Sequence, residues 1–207
     1  MDIHERRMNA IANLEQLIIG KGYTIEPKII SNTTIYFVKN NETEIGYIEL
    51  TCLDRDYEIA TYNSNRWFGN SSLGRERAIN IAHLVSHVRG MGKLILSYGV
   101  LKIWEQNPEV SYGILEDDSD HFMYKENNIY SALSFTPVYK AINQTQNKVQ
   151  LSGSEKQCLL SEFLDKAEGI IDRFGNRSSK RNGNGSNRNG SNRRTRSKRT
   201  GSKRSKR

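Results

Sequence analysis

Leu84-Val85-Ser86-His87-Val88-Arg89-Gly90-Met91-Gly92-Lys93-Leu94 is the stretch that decides how this chain is read. An apolar run, Ala78 to Leu84, leads into it with the length and character of a strand. A mostly apolar run from Lys93 to Glu105 follows with the length of a helix, and Pro108 marks its end. A strand that enters a helix through glycines is an arrangement suited to holding a phosphate. Glycine lets the backbone approach an anion and accepts positive φ. The first helical turn adds N–H groups without intrahelical partners, at the positive end of the helix dipole. The spacing is neither GxxxxGK[ST] nor GxGxxG, so neither an ordinary nucleotide loop nor a dinucleotide loop is indicated. An ordinary strand-to-helix turn could carry the same residues.

The chain beyond Pro108 narrows the choice. Val110–Leu115 reads as a short buried strand, followed by the acidic loop Glu116-Asp117-Asp118-Ser119-Asp120. A short helical stretch is expected from about Tyr124 to Leu133, and a strand from Thr136 to about Ile142. Between them lies Tyr130-Ser131-Ala132-Leu133-Ser134-Phe135. Arg89-Gly90-x-Gly92 resembles motif A of the GNAT superfamily of acyl-CoA-dependent N-acyltransferases, R/Q-x-x-G-x-G/A. Leu94 stands where that family prefers a small residue. The Tyr130–Phe135 segment resembles the end of motif B, Y-x-x-L-G-F, with Ser134 in place of Gly. The two motifs come in the family's order and at its interval, and the resemblance covers about residues 45 to 142.

The resemblance implies an α/β fold with a mixed sheet, carrying an extra C-terminal helix and a basic tail. It implies acetyl-CoA as co-substrate, lying where the strand ending at Leu84 parts from the strand Val110–Leu115. Leu84, Val85 and Ser86 would offer backbone hydrogen bonds to the pantetheine arm, as a sheet edge does to a peptide. Amides of Arg89, Gly90, Met91, Gly92, Lys93 and Leu94 would cradle the pyrophosphate. Tyr130 matches the position of the family's thiol-protonating tyrosine, and a core tyrosine is the competing reading. Glu76, 13 residues before Arg89, matches on spacing alone a base used by some members. His83 and Glu116 are the other candidate bases. His83 also reads as a packing histidine, and His87 as solvated. Direct transfer to an amine needs a proton acceptor for the amine and a donor for the leaving thiolate.

Glu116, Asp117 and Asp118 form the candidate acceptor-binding cluster. Their field would attract a lysine side chain, a basic peptide, a polyamine or another small amine. An ordinary solvated loop is the plainer reading of these acids, and the rest of a calcium loop is missing. Trp67 and Phe68, in the polar loop Asn63–Arg75, could wall a substrate loop or cap the core.

The net charge of +8 is unevenly spread. Residues 175–207 hold 13 of the 31 Lys and Arg and no acid, so residues 1–174 hold 18 basic against 23 acidic groups, a net of −5. Residues 175–207 are Gly, Ser, Asn, Thr, Arg and Lys, with Ser-Lys-Arg four times, and are expected to be disordered. Such a segment favours nucleic acid or another polyanion, without base specificity and in a salt-sensitive way. A non-catalytic GNAT-fold protein that binds nucleic acid through this tail is therefore the alternative to an enzyme. Cys52 and Cys158 match no metal spacing and suit a reducing, intracellular setting, cytoplasmic or nuclear. No apolar run approaches the ~18 residues of a membrane span, and the N-terminus shows no signal-peptide core.

The remaining organisation follows from periodicity. Residues 3–19 read as an amphipathic helix with Ile11, Leu14, Leu17 and Ile18 on one face and a stop at Gly20. Tyr23–Ile30, Thr34–Lys39 and Glu44–Cys52 read as strands, with a hairpin turn at Asn40-Asn41, and Tyr57–Tyr62 as a further strand. The acyltransferase domain is placed at residues 1–142 and a linker at 143–153. A helix over 154–174 is expected to open with the capping box Ser154-Glu155-Lys156-Gln157 and to dock through Leu160, Phe163, Leu164, Ala167, Ile170, Ile171 and Phe174.

Overall fold

The computed structural model describes residues 1–53, 57–60, 73–116, 129–137, 140–141, 151–152 and 155–182. The first helix, α1 (Ile3–Ile19), buries Ala10, Ile11, Leu14 and Ile18, the stripe that its periodicity predicts. It does not end on a left-handed Gly20, which stays right-handed at φ −63. The chain turns two residues later, at Gly22 with φ +82.

Three antiparallel strands follow: β1 (Thr24–Ile30), β2 (Thr33–Asn40) and β3 (Thr43–Cys52). Both connections are tight, with Ile30 opposite Thr33 and Asn40 opposite Thr43. Ser31 and Asn41 take the positive φ that such hairpins need. A separate hairpin joins β4 (Tyr57–Ala60) to β5 (Leu73–Glu76). β5 comes from the segment Asn63–Arg75, which the sequence marks as a polar loop; pairing with β4, rather than local pattern, makes it a strand. Next come β6 (Ala78–Ser86), helix α2 (Met91–Gln106) and β7 (Tyr112–Glu116). The remaining elements are the short 3-10 helix η1 (Ser131–Leu133), β8 (Thr136–Pro137), β9 (Lys140–Ala141), β10 (Leu151–Ser152), β11 (Glu155–Leu159) and α3 (Leu160–Asn182).

Seven strands form one mixed sheet in the order β1-β2-β3-β6-β7-β11-β8. Only β6 and β7 are parallel neighbours, with α2 as their crossover. α2 is apolar nearly all round and is buried from Leu94 to Leu101, as a helix enclosed by protein must be. Gly99 lets it close on β3. A methyl group there would lie 2.6 Å from Cγ2 of Ile48 and 3.0 Å from Cδ1 of Leu50. α1 and α3 pack beside it on the same face.

The segment after residue 142 corrects the expected boundary. Residues 155–159 are not the first turn of a helix but strand β11, in register with β7 on one side and β8 on the other. Ladder bonds to two strands outweigh a local capping signal. The helix begins at Leu160 and runs to Asn182, so its start is six residues later than expected and its end eight later. The docking face itself is the expected one: Leu160, Phe163, Leu164, Ala167 and Ile170 are buried. Arg6 of α1 clamps the helix by donating from Nη2 to Asp165, at 2.6 Å, and from Nε and Nη2 to the two oxygens of Glu168, at 3.1 and 2.6 Å. No helix among the described residues is long and apolar enough to cross a membrane.

Candidate functional site

β6 is paired differently along its two edges. Against β3 it runs from Ile79 opposite Cys52 to Ser86 opposite Gly46. Against β7 it is paired only from Ala78 to Ile81, where Ile81 stands opposite Leu115. The register against β3 slips at this point. His83 faces Glu49 and Ile81 faces Leu50, so Ala82 is the extra residue of a bulge. A bulge bends its strand and increases its twist. Past the bulge, His83 to Ser86 have no strand partner on the β7 side among the described residues. The chain that follows β7, from Asp117, lies outside the described residues.

The strand edge leads to the N-terminus of α2. Gly90 is its N-cap, at φ 88 in the left-handed region, with no side-chain cap. The helix starts at Met91 rather than Lys93, so Gly92 lies inside its first turn. Met91 N–H donates to the Val88 carbonyl at 3.1 Å, and the Ser86 hydroxyl donates to the same carbonyl at 3.0 Å. The N–H groups of Gly92 and Lys93 lie in the first turn, where no intrahelical acceptor exists. Arg89 is exposed and Lys93 half-buried, and neither enters an ion pair among the described residues. An anion placed here would meet free donors, a helix dipole and two unpaired cations. Met91 and Leu94 contribute backbone only, since their side chains are buried in the core. Leu94, large where the motif favours a small residue, points into that core rather than toward the phosphate position. Leu84 and Val85 are half-buried and Ser86 is exposed, which leaves the strand edge within reach.

Tyr130 stands near the helix start. Its neighbour Ile129 reaches the helix start, with Cδ1 2.9 Å from where a Gly92 β-carbon would lie. The Tyr130 carbonyl accepts from Leu133 and Phe135 N–H at 2.9 and 3.1 Å, which closes the η1 turn. Its half-buried ring meets the edge of Phe135 at 6.2 Å. On the ring lies Lys156 of β11, with Nζ 5.5 Å from the centroid. Lys156 is 1% exposed. It is opposite Leu115, which is opposite Ile81, so it occupies the last described row in which β6 pairs with β7.

The other expected site residues fall as follows. Glu76 does not head β6. It closes β5, opposite Tyr57, and its placement there is set by the β4–β5 hairpin. Glu116 is exposed, one residue past the end of the β6–β7 pairing, and opposite Glu155. His83 is exposed rather than packed in the core, because the bulge and the one-sided pairing leave its face of the strand open. His87 is exposed as expected, while its N–H extends the β3 ladder to Ile45 at 2.8 Å. Asp117, Asp118, Asp120, Trp67, Phe68 and the tail beyond Asn182 lie outside the described residues. Sequence reasoning missed Lys156, which it placed in a helix capping box, and Ile129. It also missed the place of Phe174, whose ring comes within 3.9 Å of a β-carbon at Gly90 and carries Lys21 Nζ 5.5 Å from its centroid.

No protein-family model matches the chain, and no curated protein matches it. Solved structures do. A GNAT-family acetyltransferase from Staphylococcus aureus Mu50 is 15% identical, with 77% of this chain and 96% of that one covered and a TM-score of 0.39. Tetrahymena GCN5 is 16% identical, with coverage of 73% and 87% and a TM-score of 0.34. AtaTR, solved bound with acetyl-CoA, is 13% identical, with coverage of 69% and 75% and a TM-score of 0.41. At TM-scores below 0.5 these likenesses carry no argument about the chain. Its own topology has a bulged central strand, a parallel neighbour and a glycine-led helix between the two.

Proposed function

We propose that this protein is an acyl-CoA-dependent N-acyltransferase that transfers an acetyl group directly to an amine. One observation carries the reading: a strand edge with no partner on the β7 side among the described residues leads into an uncapped helix N-terminus, and Ile129, the neighbour of Tyr130, reaches that terminus. The edge from Leu84 to Ser86 suits an amide-bearing arm, and the first turn of α2 suits a pyrophosphate. Acetyl-CoA supplies an activated acyl carbonyl as a thioester. The acceptor nitrogen forms a bond to that carbonyl carbon, and the carbon–sulfur bond breaks. The departing sulfur keeps the electron pair and takes the Tyr130 hydroxyl proton, and water then reprotonates the phenolate. Glu116 and Glu76 are the candidate receivers of the amine proton. Glu116 with Asp117 and Asp118 would draw a cationic acceptor, such as a lysine side chain, a basic peptide or a polyamine.

The test is a calorimetric titration of acetyl-CoA into the full chain and into Gly92→Asp. A carboxylate in the first turn of a helix suits the dipole, and the Ile129 methyl that it meets is the end of a mobile side chain. Gly92→Asp should therefore unfold at the wild-type temperature yet lose the coenzyme, since two like charges would share one cradle. Saturable wild-type binding that Gly92→Asp abolishes is the expected result. A folded wild-type protein that ignores acetyl-CoA overturns the reading, and the basic tail then becomes the functional part.

A further inference from the structure

The basic C-terminal stretch carries its lysines in one context only. Lys180, Lys198, Lys203 and Lys206 each stand between Ser and Arg, whereas the arginines outside these tripeptides, such as Arg177, Arg188 and Arg194, have varied neighbours. Charge alone does not require this, since either cation attracts a polyanion. Lysine differs in that its amine can lose a proton and be acylated, while guanidinium stays protonated. A lysine repeated within a fixed tripeptide has the character of a repeated acceptor. The fold brings this stretch to the candidate coenzyme site. The Phe174 ring lies 3.9 Å from where a β-carbon on Gly90 would be, so α3 passes the N-cap of α2 one residue before the basic stretch begins at Gly175. From Phe174 the helix continues to Asn182, about 12 Å further along its axis. We propose that the protein acetylates its own C-terminal lysines, with Lys198, Lys203 and Lys206 as the acceptors and the transfer made within one chain. The inference rests on the acyltransferase reading above and names an acceptor for it.

Reach and charge both favour transfer within the chain. Lys198 is 16 residues past Asn182 and Lys206 is 24 past it. Sixteen residues span up to about 55 Å when extended, so length does not limit access. The intervening Gly183–Arg196 has the composition of a linker, Gly, Asn, Ser, Thr and Arg with no apolar side chain. A linker of that kind holds its end group at an effective concentration on the order of millimolar. Residues 1–174 have a net charge of −5, and Glu116, Glu162 and Asp172 are exposed, so the body attracts the segment rather than repelling it. Lys180 differs from the other three, because it lies within the helical span of α3, which fixes its distance from Gly90. In the transfer, a lysine ammonium first gives up a proton. Its Nζ then forms a bond to the acetyl carbonyl carbon, and the carbon–sulfur bond breaks. The sulfur leaves with the electron pair and is protonated, which yields acetyl-lysine and free coenzyme A thiol. Each transfer removes one positive charge, and with it one counterion-releasing contact to a polyanion.

The full chain is incubated with acetyl-CoA. Acetyl groups are then counted by intact mass and placed by peptide mass spectrometry. Lys198, Lys203 and Lys206 should be acetylated and Lys180 should not. The rate per molecule should stay constant as the protein is diluted over about two orders of magnitude, since a tethered acceptor keeps its effective concentration. Lys198→Arg, Lys203→Arg and Lys206→Arg made together keep the charge and should end acetylation of the tail. Gly92→Asp should end it as well. Acetylation of Gly92→Asp at the wild-type rate would be uncatalysed reaction with the thioester, and overturns the proposal. A rate per molecule that falls on dilution means transfer between copies, and also overturns it. Calorimetric titration of acetyl-CoA into the same full chain separates the proposal from the reading beneath it. Coenzyme binding without tail acetylation overturns self-acetylation and leaves the coenzyme site standing, whereas absence of binding overturns both.

Discussion

Ser134 holds φ at 67, a left-handed conformation that a side chain pays to adopt. It terminates η1, and the motif that the segment resembles has glycine there. The sequence shows only a substitution away from a pattern, whereas the structure shows its cost. The backbone has kept the turn that glycine would make, and serine bears the strain. Ser134→Gly should therefore stabilise the protein by about 1 kcal/mol, because relief of the left-handed strain exceeds the added freedom of the unfolded chain. Urea unfolding of the two proteins measures it, and a destabilised variant would mean that the Ser134 side chain contributes contacts worth more than the strain. Tyr130, four residues earlier, was legible as a candidate from the motif alone. Its environment was not, because the cation on its ring comes from a strand 26 residues away.

α2 was legible because its signals are local: apolar length, a glycine at the start and proline beyond the end. How close it lies to the sheet was not, since closeness depends on which residue of β3 meets which residue of the helix. Gly99 settles that contact. Gly99→Val raises helix propensity slightly yet drives side-chain carbon into Ile48 and Leu50, so a loss of about 1–3 kcal/mol is expected. A thermal or urea midpoint at or above wild type would show that the layer is looser than its distances indicate. β11 gives the converse case. Ser154-Glu-Lys-Gln157 has the letters of a helix start, and Glu155–Leu159 is a strand because it pairs with β7 on one side and β8 on the other. The α3 face behind it was read correctly, for a stripe spaced at three and four residues survives an error in where the helix begins.

The charge of the molecule divides at about residue 175, with −5 before it and +13 after it. The basic segment should make the full chain bind duplex DNA weakly and without sequence preference, with affinity falling steeply as salt rises. A chain ending at Asn182 retains three of those charges, and its binding should be lost or nearly so. Equal binding by the two chains in a fluorescence-anisotropy salt series would place the nucleic-acid surface on the folded body instead. Such binding would be independent of acyl transfer, and one chain could carry both.

The sequence by itself determined the local features: the helix α1 stripe, the strands β1, β2 and β3 with the turn between the last two, the glycine turn between β6 and α2, Tyr130 as a candidate acid, and the charge division. Each is written in neighbouring residues, through side-chain period, turn chemistry or composition. Tertiary structure alone decided the bulge at Ala82, the hairpin of β1 with β2, the transfer of residues 155–159 from helix to strand, and the burial of Lys156 against Tyr130. Those depend on which strand lies beside which. Pairing energies between segments far apart in sequence exceed the local preferences of five residues, and no local pattern records them.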